Sequence, residues 1–350
     1  MSPVIPHDGM EPGVYLDMAE DAYHSDPSLG STDIRRLLTG ASEFVHTWAG
    51  NPDREDQDDT DALTFGRAVH KLVLEGRQSF DGLFACKPEG PDVLSTAEDM
   101  RAFLRAHGLH DKGTKEAMAE RILAVNPSVQ IADVIIDRAR RDGRQILSHD
   151  AYKRIVLASA YITANPKLSR SFVGGHSEVS VFWIRRGIRM KARFDYLKVI
   201  NWQERRTAMI NDLKSFSRVK PGQTLLQCIR EAAASYRHQA CHYLDGLKHA
   251  KRHIAQGLVH GEADADWLQR VATSQTELFS FVFFKSQGAP FAQAELISRQ
   301  NPILDYAARD IENALDVFQT YFDTFGNRGP WISLDDPEEL SVDDLPRWLV

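Results

Sequence analysis

The sequence has little cysteine, no long apolar run and no excess of basic residues, and each absence excludes a class of protein. Three cysteines in 350 residues are too few for a disulfide framework, a four-cysteine zinc site or a four-cysteine iron–sulfur cluster. No apolar stretch reaches the roughly 20 residues of a membrane span, and the first residues lack the basic and apolar regions of a signal peptide. We therefore expect a cytoplasmic protein with no membrane partner.

Charge and missing motifs narrow the function further. The formal net charge of -7 disfavours a protein that coats nucleic acid through a general positive field, so any contact with DNA must be local. No G-x-x-x-x-G-K-[ST] loop occurs, and an intrinsic ATP motor is therefore not expected.

The apolar patterns predict an α/β protein with a central mixed sheet, which contains an antiparallel meander and is flanked by helices. Helical spacing predicts helices over residues 31–39, 63–76, 151–165, 224–248 and 301–325. β-Branched and aromatic runs predict strands over residues 178–184, 189–200, 207–216, 277–287 and 289–297.

Two acids and a lysine on neighbouring predicted strands form a candidate site for metal-dependent hydrolysis. Asp212 and Lys214 lie two residues apart, so both project from one strand face at roughly 7 Å. If the preceding strand pairs with this one as a hairpin, Asp195 and Asp212 converge on one cation. Phosphodiester hydrolysis needs a metal that activates water and neutralises phosphate charge, and Mg²⁺ needs only one or two protein carboxylates.

Basic and hydroxyl residues near this site are candidate DNA contacts. Alternation along the second strand places Arg189, Lys191 and Arg193 on the same face as Asp195, with Met190, Ala192, Phe194 and Tyr196 on the other. A solvated strand face is the ordinary interpretation of such a basic run, and contact with DNA phosphates is our hypothesis. Ser31 and Thr32 are most simply helix caps, but a helix N-terminus also binds anions, so a terminal phosphate could dock there.

A family resemblance brings these segments together. The order FGRAVH, EVSVFW, RFDYL, NDLKS and QACHY resembles the PD-(D/E)XK nucleases of the RecB-like branch, and most closely the phage-type exonuclease VIII (RecE) group. The arm YHSDPSLGSTDIRRLL and the tail LPRW resemble the same group. The resemblance runs over most of the chain and covers residues 89–148 only in part.

The resemblance implies a Mg²⁺ site, in which Mn²⁺ would substitute, and a catalytic lysine. The implied roles are His70, Asp195 and Asp212 as metal ligands, Lys214 as the catalytic lysine, Gln239 and Tyr243 as the Q-x-x-x-Y motif of the branch, and Glu178 as an acid near the metal. Without the motifs, a structural histidine on a helix and a core glutamine beside a core tyrosine would be the simpler interpretations.

We divide the chain into an N-terminal arm with the first helices (1–88), a helical insertion (89–148) and a nuclease core with the active-site strands and the closing helix (149–350). The spacing of Leu, Gly and Lys in the insertion, which includes Lys115, looks like the helix-extended-helix of SAP-type DNA-binding modules. Two amphipathic helices that merely cover the sheet are the alternative.

The resemblance implies an ATP-independent exonuclease that resects linear double-stranded DNA for phage-type recombination. Its expected partners are double-stranded DNA ends, a single-strand annealing protein and further copies of the chain. Two alternatives stay open, namely a non-catalytic DNA-binding recombination subunit and an endonuclease of the same superfamily. A Cas4-like nuclease is disfavoured because the cysteines of its cluster are missing.

Overall fold

A computed structural model gives the fold, and the structure describes residues 9–55, 60–216, 219–334, 336, 339 and 341–342. The tail Leu345 to Trp348, which supports part of the resemblance, lies outside the described residues.

The described chain consists of short N-terminal helices, a helical insertion, and a large sheet with further helices. The α-helices are α1 (Glu20–Ser25), α2 (Ser31–Thr39), α3 (Ala41–Thr47), α4 (Asp61–His70), α5 (Gly76–Leu83), α6 (Ala97–Ala106), α7 (Lys115–Val125), α8 (Ala132–Arg141), α9 (His149–Ala164), α10 (Leu225–Ser235), α11 (Arg237–Ala255), α12 (Ala265–Ala272) and α13 (Ile303–Phe325). The strands are β1 (Gly13–Tyr15), β2 (Phe84–Cys86), β3 (Val93–Leu94), β4 (Gln130–Ile131), β5 (Gln145–Leu147), β6 (Gly175–Arg185), β7 (Ile188–Trp202), β8 (Arg205–Phe216), β9 (Val259–His260), β10 (Thr276–Lys285) and β11 (Ala292–Ser298).

Seven strands form the central sheet, in the order β11-β10-β8-β7-β6-β1-β9. The strands β6, β7 and β8 form an antiparallel meander, and β8 pairs with β10 in parallel. This confirms the prediction of a mixed sheet that contains an antiparallel meander.

Helices cover both faces of the sheet, as predicted. Alternate residues of β10 face opposite layers, because Phe281 and Phe283 belong to the buried cluster that includes residues of α2, α3, α11 and α13, whereas Val282 and Phe284 belong to the cluster that includes residues of α4, α5 and α9. A strand that is buried on both faces reads as a continuous apolar run, as the segment LFSFVFF does. The strand β8 is therefore enclosed between two helical layers.

The insertion has a buried cluster of its own. The cluster consists of Met100, Leu104, Met118, Ala119, Ile122 and Ile131, and every partly buried apolar residue that packs on it also lies between positions 94 and 134. Its three helices α6, α7 and α8, of which the sequence predicted two, therefore pack on one another rather than on the sheet. The parallel pair of β2 and β5 joins the insertion to the core, and the Lys87 N–H donates to the Leu147 carbonyl at 2.8 Å.

Two predicted helices are interrupted. The helix predicted over residues 63–76 runs as α4 to His70, continues as one π-helical turn over Lys71–Glu75, and changes direction at Gly76, whose φ is 86°. The helix predicted over residues 224–248 is broken at Tyr236 into α10 and α11. Both interruptions lie beside the candidate site. Among the described residues, no helix combines the length and the apolar character that crossing a membrane requires.

Candidate active site

The candidate site lies where two strands of the meander separate. The β7–β8 ladder runs from Trp202 opposite Arg205 to Tyr196 opposite Asn211 and ends there. Beyond that point β7 continues against β6 and, on its other side, the segment around Leu29, whereas β8 continues against β10. Asp195 and Asp212 are the first residues past the last pair, one on each strand. We call this position the fork.

The strand alternation breaks at the fork. Phe194 and Leu197 belong to the same buried cluster, although strict alternation would send residues three apart to opposite faces. The predicted alternation therefore holds up to Phe194 and is wrong for Tyr196. Across from Asp195 on β6, Glu178 has a φ of 53°. A left-handed backbone at a residue other than glycine is strained by about 1–3 kcal/mol and is found preferentially at active sites.

The backbone N–H and the backbone carbonyl of Leu213 are both hydrogen-bonded to side chains at the fork. Its N–H donates to Asp195 Oδ2 at 2.7 Å, in place of a bond to the neighbouring strand. Its carbonyl accepts from His70 Nε2 at 3.0 Å, and His70 Nδ1 lies 3.5 Å from Asp195 Oδ2. The end of α4 thus brings His70 to the fork from the opposite helical layer.

The Asp212 carboxylate is fully buried, with 0 % of the residue exposed. Its Oδ1 accepts from Gln239 Nε2 at 2.6 Å. Its Oδ2 lies 2.7 Å from Lys214 Nζ as an ion pair, but it has no partner with hydrogen-bond geometry. Gln239 lies one helical turn before the buried Tyr243 on α11. Asp212 Oδ2 is therefore a buried acceptor with unused capacity.

Burial dominates the electrostatics of the fork. It raises the pKa of Asp212 to about 6, an effect that the Lys214 charge only partly offsets. Burial likewise raises the pKa of Asp195. Burial opposes the charge of Lys214, but the two carboxylates outweigh it and raise the pKa of the ammonium group. Burial and then Lys214 lower the pKa of His70, which favours a neutral imidazole.

Glu178 lies beside the fork but is held by another residue. Its Oε2 lies 2.7 Å from Arg193 Nε. Burial, followed by the negative charge of Asp195, raises the pKa of Glu178. The same Arg193 donates through Nη2 to the Met18 carbonyl at 2.8 Å.

A polar cleft of about 320 Å³ opens next to the fork, on the α11 side of the sheet. Its lining residues are Ser31, Thr32, Arg35, Lys214, Ser235, Tyr236, His238, Gln239 and Tyr243. The start of α2 reaches the cleft because Leu29 pairs with the part of β7 that β8 has left. The Leu29 N–H donates to the Arg189 carbonyl, and the Lys191 N–H donates to the Leu29 carbonyl, both at 2.9 Å.

The structure therefore brings most of the predicted site residues together. Asp195, Asp212, Lys214, His70 and Gln239 meet at the fork, and Tyr243 lines the adjoining cleft together with Gln239. Ser31 and Thr32 line the adjoining cleft.

Four lining residues were missed by the sequence analysis, namely Arg35, Ser235, Tyr236 and His238. Arg35 gave a usable signal, because it lies four residues after Ser31 on the same helix face. No described residue pairs with the Arg35 guanidinium. No sequence signal pointed to His238. Its Nε2 lies 2.7 Å from Asp310 Oδ2 on α13, and a contact between segments so far apart in the sequence leaves no local pattern.

Four other predicted DNA contacts lie elsewhere or are engaged within the protein. Lys191 is 6 % exposed, and its Nζ donates to the Tyr23 and Asp26 carbonyls at 2.8 and 2.7 Å. Arg189 donates to the Met10 carbonyl at 2.6 Å. Together with Arg193, described above, these side chains hold the N-terminal arm on β7, so the expected open basic face is absent.

Lys115, the fourth of these residues, lies in the insertion at the start of α7. Its Nζ is 2.7 Å from Asp133 Oδ2, and both side chains are exposed. It is therefore not part of the fork or of the cleft.

The donor set at the fork fits a sparsely ligated, hydrated cation. No three His, Cys, Asp or Glu side chains within the described ranges surround a common point as a preassembled cation site. Mg²⁺ does not need one, because it retains several waters and binds through one or two carboxylates. The buried Asp212 Oδ2, which lies 2.7 Å from Lys214 Nζ, the Asp195 carboxylate and the Leu213 carbonyl supply oxygen ligands of the kind this ion prefers.

Comparisons with known proteins add little. No protein-family model and no curated protein matches the chain. The backbone is similar to the crystal structure of a protein from Eubacterium rectale that carries the provisional name exonuclease. That protein is 12 % identical, the match covers 95 % of this chain and 99 % of the other, and the TM-score is 0.47. A likeness at this level carries no argument about activity, so the functional case depends on the fork itself.

Proposed function

We propose that the protein is a Mg²⁺-dependent DNA nuclease of the PD-(D/E)XK type. The observation that carries the proposal is the fork, where the fully buried Asp212 carboxylate pairs with Lys214 beside an open polar cleft and the Asp195 carboxylate binds the next backbone N–H along the strand. Burying these charges is unfavourable by several kcal/mol before their mutual attraction is counted. A structural role would be met more easily by apolar residues of similar size.

The metal would be held by Asp212 and Asp195, with the Leu213 carbonyl and His70 beside them. When bound, Mg²⁺ supplies a lowered pKa for a coordinated water and neutralises charge on the scissile phosphate. The protein residues fix the oxygens in place beforehand. Gln239 orients one oxygen of Asp212, and the Leu213 N–H orients one oxygen of Asp195.

Lys214 provides the fixed positive charge of the site. Its side chain is 21 % exposed, lines the cleft, and contacts Asp212 Oδ2 at 2.7 Å. The raised pKa keeps the ammonium group charged. From this position Nζ holds the attacking water or stabilises the charge that develops on the phosphate.

The cleft supplies the binding surface for the DNA backbone. Ser31 and Thr32 lie in the first turn of α2, where the backbone N–H groups of a helix and the helix dipole favour an anion. Arg35, which pairs with no side chain in the described part of the chain, adds a guanidinium suited to phosphate. This arrangement supports the hypothesis that a phosphate next to the scissile one docks here.

Finer aspects of the proposal rest on the resemblance alone. They are exonucleolytic, ATP-independent resection of linear duplex DNA in phage-type recombination, transfer of the resulting strand to a single-strand annealing protein, and assembly of several copies of the chain. Mn²⁺ is expected to substitute for Mg²⁺.

One experiment separates the candidate functions. Purified protein is incubated with the same plasmid in linear and covalently closed forms, with Mg²⁺, with Mn²⁺, or with EDTA. The proposal expects stepwise loss of the linear form alone, only with metal. Cleavage of both forms would identify an endonuclease, and metal-independent binding without cleavage would identify a non-catalytic subunit. Neither binding nor cleavage would show that the nuclease proposal is wrong.

A further inference from the structure

The break between α10 and α11 lies directly above the catalytic lysine. The sequence predicts one continuous helix here, since no proline or glycine occurs between Thr224 and Ala240. The chain instead leaves helical geometry at Tyr236, with φ -92° and ψ 13°. The break turns Ser235, Tyr236 and His238 toward the cleft. A helix interruption without a helix-breaking residue calls for a physical reason at that position.

The Tyr236 ring lies against the ammonium group of Lys214. Lys214 Nζ is 5.5 Å from the ring centroid, which is within the range of a cation–π interaction. The ring is held in turn by Phe281 on β10, with a centroid distance of 5.8 Å and an interplanar angle of 44°. Phe281 is fully buried, so the position of the Tyr236 ring is fixed by the core.

Lys214 therefore has two holds of different kinds. One is the Asp212 carboxylate at 2.7 Å, and the other is the ring of Tyr236. A cation bound to Asp212 would share the charge of that carboxylate, which weakens the first hold. The second hold does not depend on Asp212 and would persist.

We propose that Tyr236 is a positioning residue, whose ring face keeps Lys214 Nζ directed into the cleft while Asp212 is engaged with the metal. The inference rests on the proposed nuclease function. It assigns the break in the helix to the site, and it assigns the effect to the ring rather than to the hydroxyl group.

The test compares Tyr236→Leu, which removes the ring, with Tyr236→Phe, which removes only the hydroxyl. Tyr236→Leu is expected to lower kcat roughly 5- to 30-fold, as expected for the loss of a partly desolvated cation–π contact, with KM changed less than about twofold. Tyr236→Phe is expected to stay within about twofold of the wild type. Phe318→Leu serves as the control for lost packing, because Phe318 is buried in the same cluster and contacts aromatic residues away from the cleft.

A second series removes the attraction without changing the shape. Phenylalanine analogues with increasing fluorination are incorporated at position 236, and each fluorine weakens the negative ring face. We expect kcat to fall stepwise with fluorination. This series keeps the inference testable if Tyr236→Leu does not fold. A flat series, or a Tyr236→Phe variant that falls as far as Tyr236→Leu, would overturn it.

A third readout needs no catalysis. With Mg²⁺ present and no DNA, the NMR order parameter of the Lys214 ammonium group should drop in Tyr236→Leu and remain at the wild-type value in Tyr236→Phe and Phe318→Leu. An unchanged order parameter in Tyr236→Leu contradicts the inference. If the wild type shows no cleavage but this pattern holds, the nuclease proposal fails while the positioning of Lys214 by Tyr236 stands.

Discussion

The fork and the insertion use the same kind of ion pair in opposite environments. Lys214 and Asp212 at the fork and Lys115 and Asp133 in the insertion are both 2.7 Å apart. The first carboxylate is fully buried, whereas both side chains of the second pair are more than 40 % exposed. Water screens the exposed pair, so it contributes little. The buried pair cannot lose one partner without leaving an uncompensated charge. The distance between the charged groups therefore does not distinguish the two ion pairs, whereas their burial does.

The largest expected effect comes from neutralising the acid of the buried pair, and the acid of the exposed pair provides the control. Asp212→Asn should lower cleavage of linear duplex DNA by about 10³-fold or more, because it removes a metal ligand and the partner of Lys214. Lys214→Ala should do the same. Asp133→Asn is the matched control and should leave kcat within about twofold. Initial rates with Mg²⁺ measure all three. Equal losses in Asp212→Asn and Asp133→Asn would mean that burial does not distinguish the two pairs.

A smaller loss is expected when only the support of the buried acid is removed. Gln239→Ala takes the donor from Asp212 Oδ1 and should lower kcat about 30-fold, which corresponds to about 2 kcal/mol for a buried acceptor left without its partner. Gln319→Ala removes the same kind of bond at the surface, since Gln319 Nε2 contacts Asp323 Oδ1 at 2.9 Å. That variant should match the wild type. An unaffected Gln239→Ala would place Gln239 outside the site.

The raised pKa of Asp212 predicts that both stability and metal binding depend on pH. Folding favours its protonated form, so the stability contributed by this group is present below about pH 4 and is lost as the pH rises through about 6. Metal binding needs the ionised form. At pH 5 only about a tenth of the Asp212 side chains would be ionised, and cleavage should fall about tenfold from its value at pH 7.

Thermal stabilisation by the metal checks this dependence without catalysis. The rise in melting temperature with Mn²⁺ should be small at pH 5 and larger at pH 7.5. In Asp212→Asn, Mn²⁺ should not raise the melting temperature at either pH. A metal-induced rise that is equally large at pH 5 would argue against Asp212 as the ligand that titrates.

The smallest effect on catalysis should follow removal of the insertion. Replacing residues 89–144 by a short Gly-Ser linker keeps the β2–β5 pair and removes no residue of the two buried clusters that cover the sheet. We expect kcat on saturating DNA to stay within about twofold. The affinity for duplex DNA should weaken about fivefold, as for the loss of one or two phosphate contacts. Fluorescence anisotropy in EDTA measures the affinity, and a large loss of kcat would show that the insertion supports the fork.

The local sequence patterns predicted the features that depend only on neighbouring residues, namely the strands and, where a strand is regular, the face on which each side chain lies. The alternating strands gave the meander, and the two-residue spacing of Asp212 and Lys214 put both on one face, because β8 is regular through that stretch. The motif resemblance added His70 and Gln239, which no periodicity would have connected to β8. Their distances to the Leu213 carbonyl and to Asp212 agree with a shared site.

The predictions that were wrong concern features set by contacts between segments that are distant in the sequence. The basic residues of β7 looked solvent-facing because their partners, the Tyr23, Asp26, Met10 and Met18 carbonyls, belong to an arm more than 160 positions earlier. The break of alternation at Asp195 and the left-handed Glu178 arise where strands diverge, and a sequence pattern carries no information about where a ladder ends. Tyr236 was assigned to a continuous helix because no residue there breaks one.

The pairing of Leu29 with β7 has a consequence for how the chain matures. The segment that fills the gap left by β8 is synthesised about 160 residues before its partner strand, and such distant pairings form late and slowly. The helix that carries His70 likewise waits for Leu213. An emerging or fragmented polypeptide therefore contains the separate segments of the fork but not the assembled fork, so the proposed hydrolysis would be withheld until the whole domain has folded.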